Sequence, residues 1–375
     1  MPEADLPNLE KDRPMTMAKD SMKIVIKKCL QISAVLAAVI VASAGIVLAW
    51  LVYPGTPGRS QSLKFEGYIE LPRHGVLNVL DFLILHNHIL FITDESSGSV
   101  FKVELNPGQS ASGTVSEMTG GGGTHGIALL PGQNVAFVTR SEENTVDVFD
   151  PRSLQRLGRI PVAEDSDAIL YDPQFKLIYV ANGEVNLATL IDPEKRVTTG
   201  TIPLGGKPEF VAVDSKTGLL YQNLGDLSSV VAIDLGKRSI MGRWKLAPCE
   251  GPSGIAIDSD QRRLFAVCSA NALLVVFDLD AHRVVTAMKI GGGPDSVAFD
   301  QALHRIYTAG KAGWLTVIQQ NGPNSYKVLD NIHTHYGAHT LTVDTASHDV
   351  YVGYASLFVR PRIAVFSPTL LGPTR

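Results

Sequence analysis

One short phrase, recurring at a fixed interval, constrains this chain more than anything else in it. It reads GGGPDSVAFD at Gly291–Asp300, GGKPEFVAVD at Gly205–Asp214 and CEGPSGIAID at Cys249–Asp258. Worn copies are DSDAILYD at Asp165–Asp172, THGIALL at Thr124–Leu130, AHTLTVD at Ala338–Asp344 and LDFLIL at Leu80–Leu85. Each copy is a turn, one polar or small residue, then a short alternating strand. That residue serves as a register mark: Asp81, His125, Asp167, Glu209, Ser253, Asp295 and His339, spaced by 44, 42, 42, 44, 42 and 44 residues. A period in the low forties, with strands and no helices between marks, is the signature of a β-propeller. The expected fold is therefore all-β: a seven-bladed β-propeller of four-stranded antiparallel blades.

The third repeat shows all four strands of a blade. Ala168–Tyr171 is innermost, Leu177–Ala181 returns, Leu187–Ile191 follows, and Val197–Leu204 is outermost, with Asp-Pro turns between. Pro and Gly fall between the apolar runs and rarely inside them, as strand chemistry requires. Outer strands are expected at Leu154–Val162, Ile240–Leu246, Val284–Ile290 and Tyr326–Ile332, with a weaker one near Gly113–Met118. The seventh repeat has strands at Thr340–Val343, Val350–Gly353 and Arg362–Phe366, then no fourth. Leu63–Leu71, LKFEGYIEL, carries the missing outer-strand pattern. Pairing it with the last segment closes the ring and covers an exposed edge.

Ahead of the repeats, Leu30–Tyr53 is 24 residues without a charge. At about 1.5 Å per residue such a helix crosses a hydrocarbon core of roughly 30 Å. Lys19, Lys23, Lys27 and Lys28 precede it and Arg59 is the first charge after it, so positive charge places the N-terminus inside and the propeller outside, periplasmic or extracellular. Trp50 and Tyr53 stand where an interfacial aromatic anchor belongs. A cleaved signal peptide is the rival reading, with Ala42-Ser43-Ala44 as its cleavage site. The apolar run continues nine residues past Ala44, which favours an uncleaved signal-anchor. The domain expectation is a cytoplasmic tail at 1–29, a transmembrane helix at 30–53, a Pro/Gly/Ser-rich linker at 54–61, the propeller at 62–368 and a C-terminal tail at 369–375.

The repeats resemble those of bacterial YVTN-type propellers, the YncE-like group. The resemblance is carried by GGKPEFVAVD, GGGPDSVAFD, YGAHTLTVD (Tyr336–Asp344), IYVANG (Ile178–Gly183) and NTVDVFD (Asn144–Asp150), and covers Leu63 to Pro368. It implies an exported seven-bladed propeller and little about activity, because function lives in sites grafted on folds.

Three constellations carry candidate chemistry. The start of each innermost strand faces the central channel, so Asp81, His125, Asp167, Glu209, Ser253, Asp295 and His339 should ring one mouth as a ligand site. Four carboxylates with two imidazoles suit a divalent cation or a basic ligand; they equally suit polar caps on a water-filled channel. Second, His333, His335 and His339, with His125, offer ligands for a transition metal, or a His-rich surface loop. Third, Cys249 and Cys268 lie at the ends of adjacent antiparallel strands, fit either for a disulfide outside the cytoplasm or for two separate buried thiols.

Other chemistry is excluded. Gly120–Gly123 precedes a strand with no following helix or Lys, so it is a blade linker and not a phosphate loop. No G-x-S-x-G elbow and no CxxCH haem signature occur. Lys and Arg number 33 against 37 Asp and Glu, which gives nucleic acid no basic patch to hold. The leading expectation is a membrane-anchored extracytoplasmic binding or scaffolding module for a protein or small-molecule ligand, not an enzyme. The alternatives are a metal-dependent lactonase-like hydrolase, a quinoprotein-like oxidoreductase subunit, or a periplasmic metal carrier.

Overall fold

The computed structural model describes residues 14–52, 56–357 and 359–369; within the helix, the side chains of 14–21, 23–26 and 48–52 lie outside that description. Residues 1–13 of the expected tail, Tyr53, the linker's Pro54 and Gly55, the Trp50 side chain and the last residues 370–375 therefore fall outside it as well. The chain divides into two compact units, Met1–Tyr53 and Pro54–Arg375.

The first unit is one helix, Pro14–Val52. It starts well before the apolar run because Met15–Lys28 contains good helix formers and no interior Gly or Pro, while Pro14 suits the first turn. Lys27–Val47 is long and apolar enough to cross a membrane, and none of it is buried within the protein. The Ser43 hydroxyl donates back to the Val39 carbonyl at 2.6 Å, so the helix runs unbroken through Ala42-Ser43-Ala44.

The second unit is the expected propeller, with seven four-stranded antiparallel sheets. Innermost strands are Leu80–His86, Thr124–Leu129, Ser166–Asp172, Pro208–Val213, Pro252–Asp258, Pro294–Asp300 and Ala338–Val343. Six blades are built from four consecutive strands. The seventh takes Leu63–Glu70 as its outer strand, paired antiparallel with Val359–Pro368 from Leu63↔Pro368 to Glu70↔Arg362. Blade one's outer strand, Gln109–Met118, begins earlier than the sequence indicates, because Asn106 and Gln109 close a hairpin whose Gly108 takes φ 70°.

Local sequence explains the blades. A sheet stacked between two others buries both faces, so its middle strands read as continuous apolar runs; Leu274–Phe277 is fully buried. Outer strands cover only one side, and Ser239–Lys245 alternates accordingly. The Asp that ends the repeated phrase closes the turn after the innermost strand. Asp172 Oδ1 accepts from the Gln174 and Phe175 amides at 2.7 and 3.0 Å, and Asp300 Oδ1 from Ala302 and Leu303 at 3.1 Å each.

The core lies between blades. Seven apolar clusters fill the seven interfaces: Tyr179, Leu190 and Ile202 of blade three meet Leu220, Val231 and Ile233 of blade four, for example. Leu80 and Leu83 of blade one meet Tyr351 and Ile363 of blade seven, which completes the circle. Between blades one and two the glycine linker wraps a buried ion pair. Arg140 Nε donates to Asp147 Oδ2 at 2.9 Å, and its Nη1 to Gly121 O at 2.7 Å and Thr124 Oγ1 at 2.5 Å. A Cβ on Gly120 would overlap the guanidinium, so the glycine run is required for this close approach.

The expected linker is not a free tether where it is described. The Gly58 amide donates to His333 O at 2.7 Å. Asp330 Oδ2 then accepts from Ser60 Oγ at 2.7 Å, the Gln61 and Ser62 amides at 3.0 and 2.9 Å, and Ser62 Oγ at 2.6 Å. Burial would raise the Asp330 carboxyl, but the Ser62 and Ser60 bonds hold it below the usual carboxylate range.

Candidate functional site

The seven register residues are the second residue of their innermost strands, and at each one the strand pairing slips. The irregularities fall between Leu80 and Leu83, Thr124 and Ile127, Ser166 and Ile169, Pro208 and Val211, Pro252 and Ile255, Pro294 and Ser296, and Ala338 and Thr340. A bulge leaves its residue out of the ladder and re-aims the side chain. Alternation patterns in the sequence carry no sign of it.

A bulge also strands a backbone carbonyl, and four of the seven are taken up by side chains. Thr139 Oγ1 donates to Asp167 O at 2.8 Å and Gln222 Nε2 to Glu209 O at 2.6 Å. Asn223 Nδ2 donates to Ser253 O at 2.9 Å and Ser296 Oγ to His339 O at 2.7 Å. Buried carbonyls need such partners, so the irregularities are built features. Gly254, next to Ser253, lets blades five and six approach: a Cβ there would sit 2.5 Å from Asp295 O.

The side chains meet as a ring. His125 Nδ1 lies 2.7 Å from Asp81 Oδ2 and 3.8 Å from Asp167 Oδ1. His339 Nε2 lies 3.9 Å from Asp81 Oδ1 and 4.0 Å from Asp295 Oδ2. Ser253 Oγ donates to Asp295 Oδ1 at 2.6 Å. Glu209, Ser253, Asp295 and Lys311 line a cavity of about 320 Å³ at this mouth.

A second tier stands behind the first, sixteen residues on in six blades and fourteen in blade one: Glu95, Ser141, Gly183, Gly225, Ser269, Lys311 and Ala355. The first six donate their amides to equivalent carbonyls, Val79, Gly123, Asp165, Lys207, Gly251 and Gly293. This tier escaped the sequence reading, although its offset of sixteen residues from the register mark in six blades could have revealed it. Its members are small except Glu95 and Lys311, and Lys311 Nζ reaches Asp295 Oδ2 at 3.1 Å.

Lys311 changes the electrostatics expected of four crowded carboxylates. Burial would lower His125, but Asp81, Asp167 and Glu95 raise it to about 9. Burial likewise opposes charge on His339 and Lys311, yet Asp81 and Asp295 raise the first and Asp295 the second. Asp81 is pushed up by burial and pulled further down by His125 and His339, ending below its ordinary range. Asp167 is raised by burial and by the Asp81 charge. Burial, with Asp295 acting against Lys207, pushes Glu209 up to about 7. The ring thus sets imidazolium and ammonium groups against carboxylates, with Asp167 and Glu209 held toward their neutral forms.

The four-histidine metal set is not assembled. The chain is not extended from His333 to His339, because it turns at Thr334–Gly337, with Gly337 at φ 88°. His333 meets Trp314 edge-on at 5.2 Å, and His335 stacks on Tyr354 at 4.9 Å with Nδ1 donating to Tyr336 O. Only His339 of the three joins the ring, and Asp81 stands between it and His125. Among the described residues, the His/Cys/Asp/Glu group with ligand atoms all within 4.8 Å is Asp81, His125 and Asp167. Cys249 and Cys268 are joined as a disulfide, Cα–Cα 5.3 Å, in place of two separate thiols.

The chain matches no protein-family model and no curated protein. Among solved structures it is similar to the hydrazine synthase of Kuenenia stuttgartiensis, with TM-score 0.67 and 16% identity over 82% of this chain and 100% of that one. It is equally similar to the WD40 repeats of RRP9, with TM-score 0.67 and 10% identity over 84% of this chain and 100% of that one. At such identities the likeness establishes the propeller fold alone, a fold that often serves as a protein-binding scaffold.

Proposed function

We propose that this is a membrane-anchored, extracytoplasmic propeller of the YncE-like kind, acting as a binding module for a protein or small-molecule ligand at its channel mouth. The observation that carries the reading is the convergence of seven bulged register side chains on one mouth, beside a cavity containing both signs of charge. Side chains released from the strand ladder contribute nothing to pairing, so their convergence is best explained by recognition. The apolar helix Lys27–Val47 supports anchoring, and the lysines before it support an inside N-terminus. The Cys249–Cys268 disulfide supports an oxidising compartment for the propeller.

The test is photo-crosslinking in cells. A photoreactive side chain at Ser269, on the cavity rim, should give a discrete adduct that Lys311→Glu diminishes. The same group at Met241, on the exposed outer strand of blade four, should not. Equal labelling from both positions, or none from Ser269, overturns the reading. A reporter fused after Arg375 that works only in the cytoplasm overturns the topology.

A further inference from the structure

In five blades the residue five positions beyond the register mark is an aspartate: Asp172, Asp214, Asp258, Asp300 and Asp344. Each caps its own turn, and three find a second partner across the interface with the next blade. Asp214 Oδ2 meets Arg262 Nη1 of blade five at 2.5 Å, and Asp258 Oδ2 accepts from Gln320 Nε2 of blade six at 2.9 Å. His348 Nδ1 of blade seven donates to Asp300 Oδ2 at 2.8 Å. Asp172 has no such partner because Gly218 stands opposite, packed so closely that a Cβ would lie 2.1 Å from Gln174 Oε1. Asp344 is the other exception, and there the interface is open.

Between blades seven and one lies a cavity of about 470 Å³ whose lining includes His88, Leu105, Gln109, Asp344, Asp349 and Tyr351. His88 holds the turn position of Arg262 and His348, just before the second strand. It shares their positive φ, 60° against 57° and 67°, and its carbonyl accepts from Leu105 as that of Arg262 does from Leu279. Yet the His88 imidazole is exposed and meets no carboxylate among the described residues. We propose that this cavity binds a small organic cation, a primary ammonium or guanidinium group standing where Arg262 and His348 stand in the sibling interfaces. The site lies at the opposite ends of the inner strands from the register residues and does not depend on what the mouth binds.

The carboxylates are built to receive such a group. Asp344 and Asp349 are each more than nine-tenths buried, and among the described residues neither forms an ion pair. Ser347 Oγ lies 3.0 Å from Asp344 Oδ2 and 2.9 Å from Asp349 Oδ2, so one hydroxyl proton serves two acceptors. Asp349 Oδ1 has no donor among the described residues, and its side chain lines the cavity. Burying two like charges without a counter-ion is costly, and a multidentate cation donates to both. Burial, then the Asp349 and Asp344 charges, push the Tyr351 hydroxyl up, so their field reaches the cavity floor. Leu105 and Pro107, beside the blade-one hairpin, offer an apolar wall for an alkyl stem. The volume falls within the roughly 300–1,000 Å³ of small-molecule pockets, more than a bare metal ion fills.

The experiment is calorimetric titration of the full chain in detergent. The same cationic group can come from a free amine or from a basic side chain, so the probes are 1,4-diaminobutane and the peptide Gly-Lys-Gly, with neutral 1,4-butanediol as control. At least one cationic probe should bind saturably, one per chain, and the probe that binds identifies the source; the diol should not bind. Asp349→Asn should weaken affinity by at least about 10-fold. His88→Arg supplies the missing ion pair from within, so it should abolish binding and raise the Tm of the ligand-free protein. Melting curves show whether each variant is folded, and should one misfold, the comparison of cation with diol on wild type still decides. Binding of neither cation, equal binding of the diol, or unchanged affinity in folded Asp349→Asn and His88→Arg overturns the inference.

Discussion

Reduction of the Cys249–Cys268 bond is the perturbation whose size can be worked most directly. The two residues are 19 apart and both buried. In the loop-entropy estimate, cross-linking about 20 residues restricts the unfolded chain by about 3 kcal/mol at 25 °C. A unit of roughly 320 residues unfolds with an entropy near 0.7 kcal/mol per kelvin, so losing that amount lowers Tm by about 4 °C. The assay is calorimetry of the membrane-extracted protein with and without a reductant, paired with thiol counting after denaturation. Of the three cysteines, only Cys29 is free, so one thiol should react before reduction and three after. Three reactive thiols in unreduced protein would refute both the bond and the compartment argued from it. An unchanged Tm on complete reduction would refute the assignment of stability to the closed loop.

Further expectations concern the linker, the ring and the blade contacts. Asp330→Ala removes four hydrogen bonds to one carboxylate oxygen and should cost about 2 kcal/mol locally; hydrogen exchange should quicken at residues 58–62 and stay unchanged in the middle strands. Glu209 binds a proton more tightly folded than unfolded, so its effect on stability worsens as pH rises from its ordinary value near 4.5 through about 7. Glu209→Gln should therefore match wild type at pH 4 and exceed it by about 2 kcal/mol at pH 8, read from melting curves; a constant difference would contradict the burial argument. Gly254→Ala places a Cβ 2.5 Å from Asp295 O and should cost about 3 kcal/mol, with displacement of Ser253 visible as loss of its bond to Asp295.

The architecture was readable because it repeats: seven register marks gave the blade number, and the surplus strand at Leu63–Leu71 gave the closure. Strand limits followed from Asp-Pro and Asp-x turns, whose carboxylates cap the next amides. Much of the site was not readable. The polar marks were visible, but the bulge that presents each one is a slip in pairing and leaves no compositional trace. Lys311 and Ser141 sit in the returning strand's exit, where the other blades carry Glu, Gly, Gly, Ser and Ala, so a single repeat gave no reason to single them out. The His333–His339 segment misled for the opposite reason: three like residues close in sequence suggested shared ligation, while one turn at Gly337 sends them to separate neighbours. Asp330 was silent altogether, since its partners lie nearly 270 residues away.

The closing strand sets a clock. Leu63–Glu70 is made before any blade, yet its partner Val359–Pro368 is the last strand of the chain to appear. At about 10 residues per second, the roughly 300 residues between them take about 30 s to synthesise. Throughout that interval an eight-residue strand with an apolar edge has no sheet to join, and contacts of such long sequence separation are slow to form even afterwards. The ring is therefore most exposed to mispairing with a second nascent copy during its own synthesis. Crowding of ribosomes on one message, more than heat or denaturant, is the condition under which this propeller should fail.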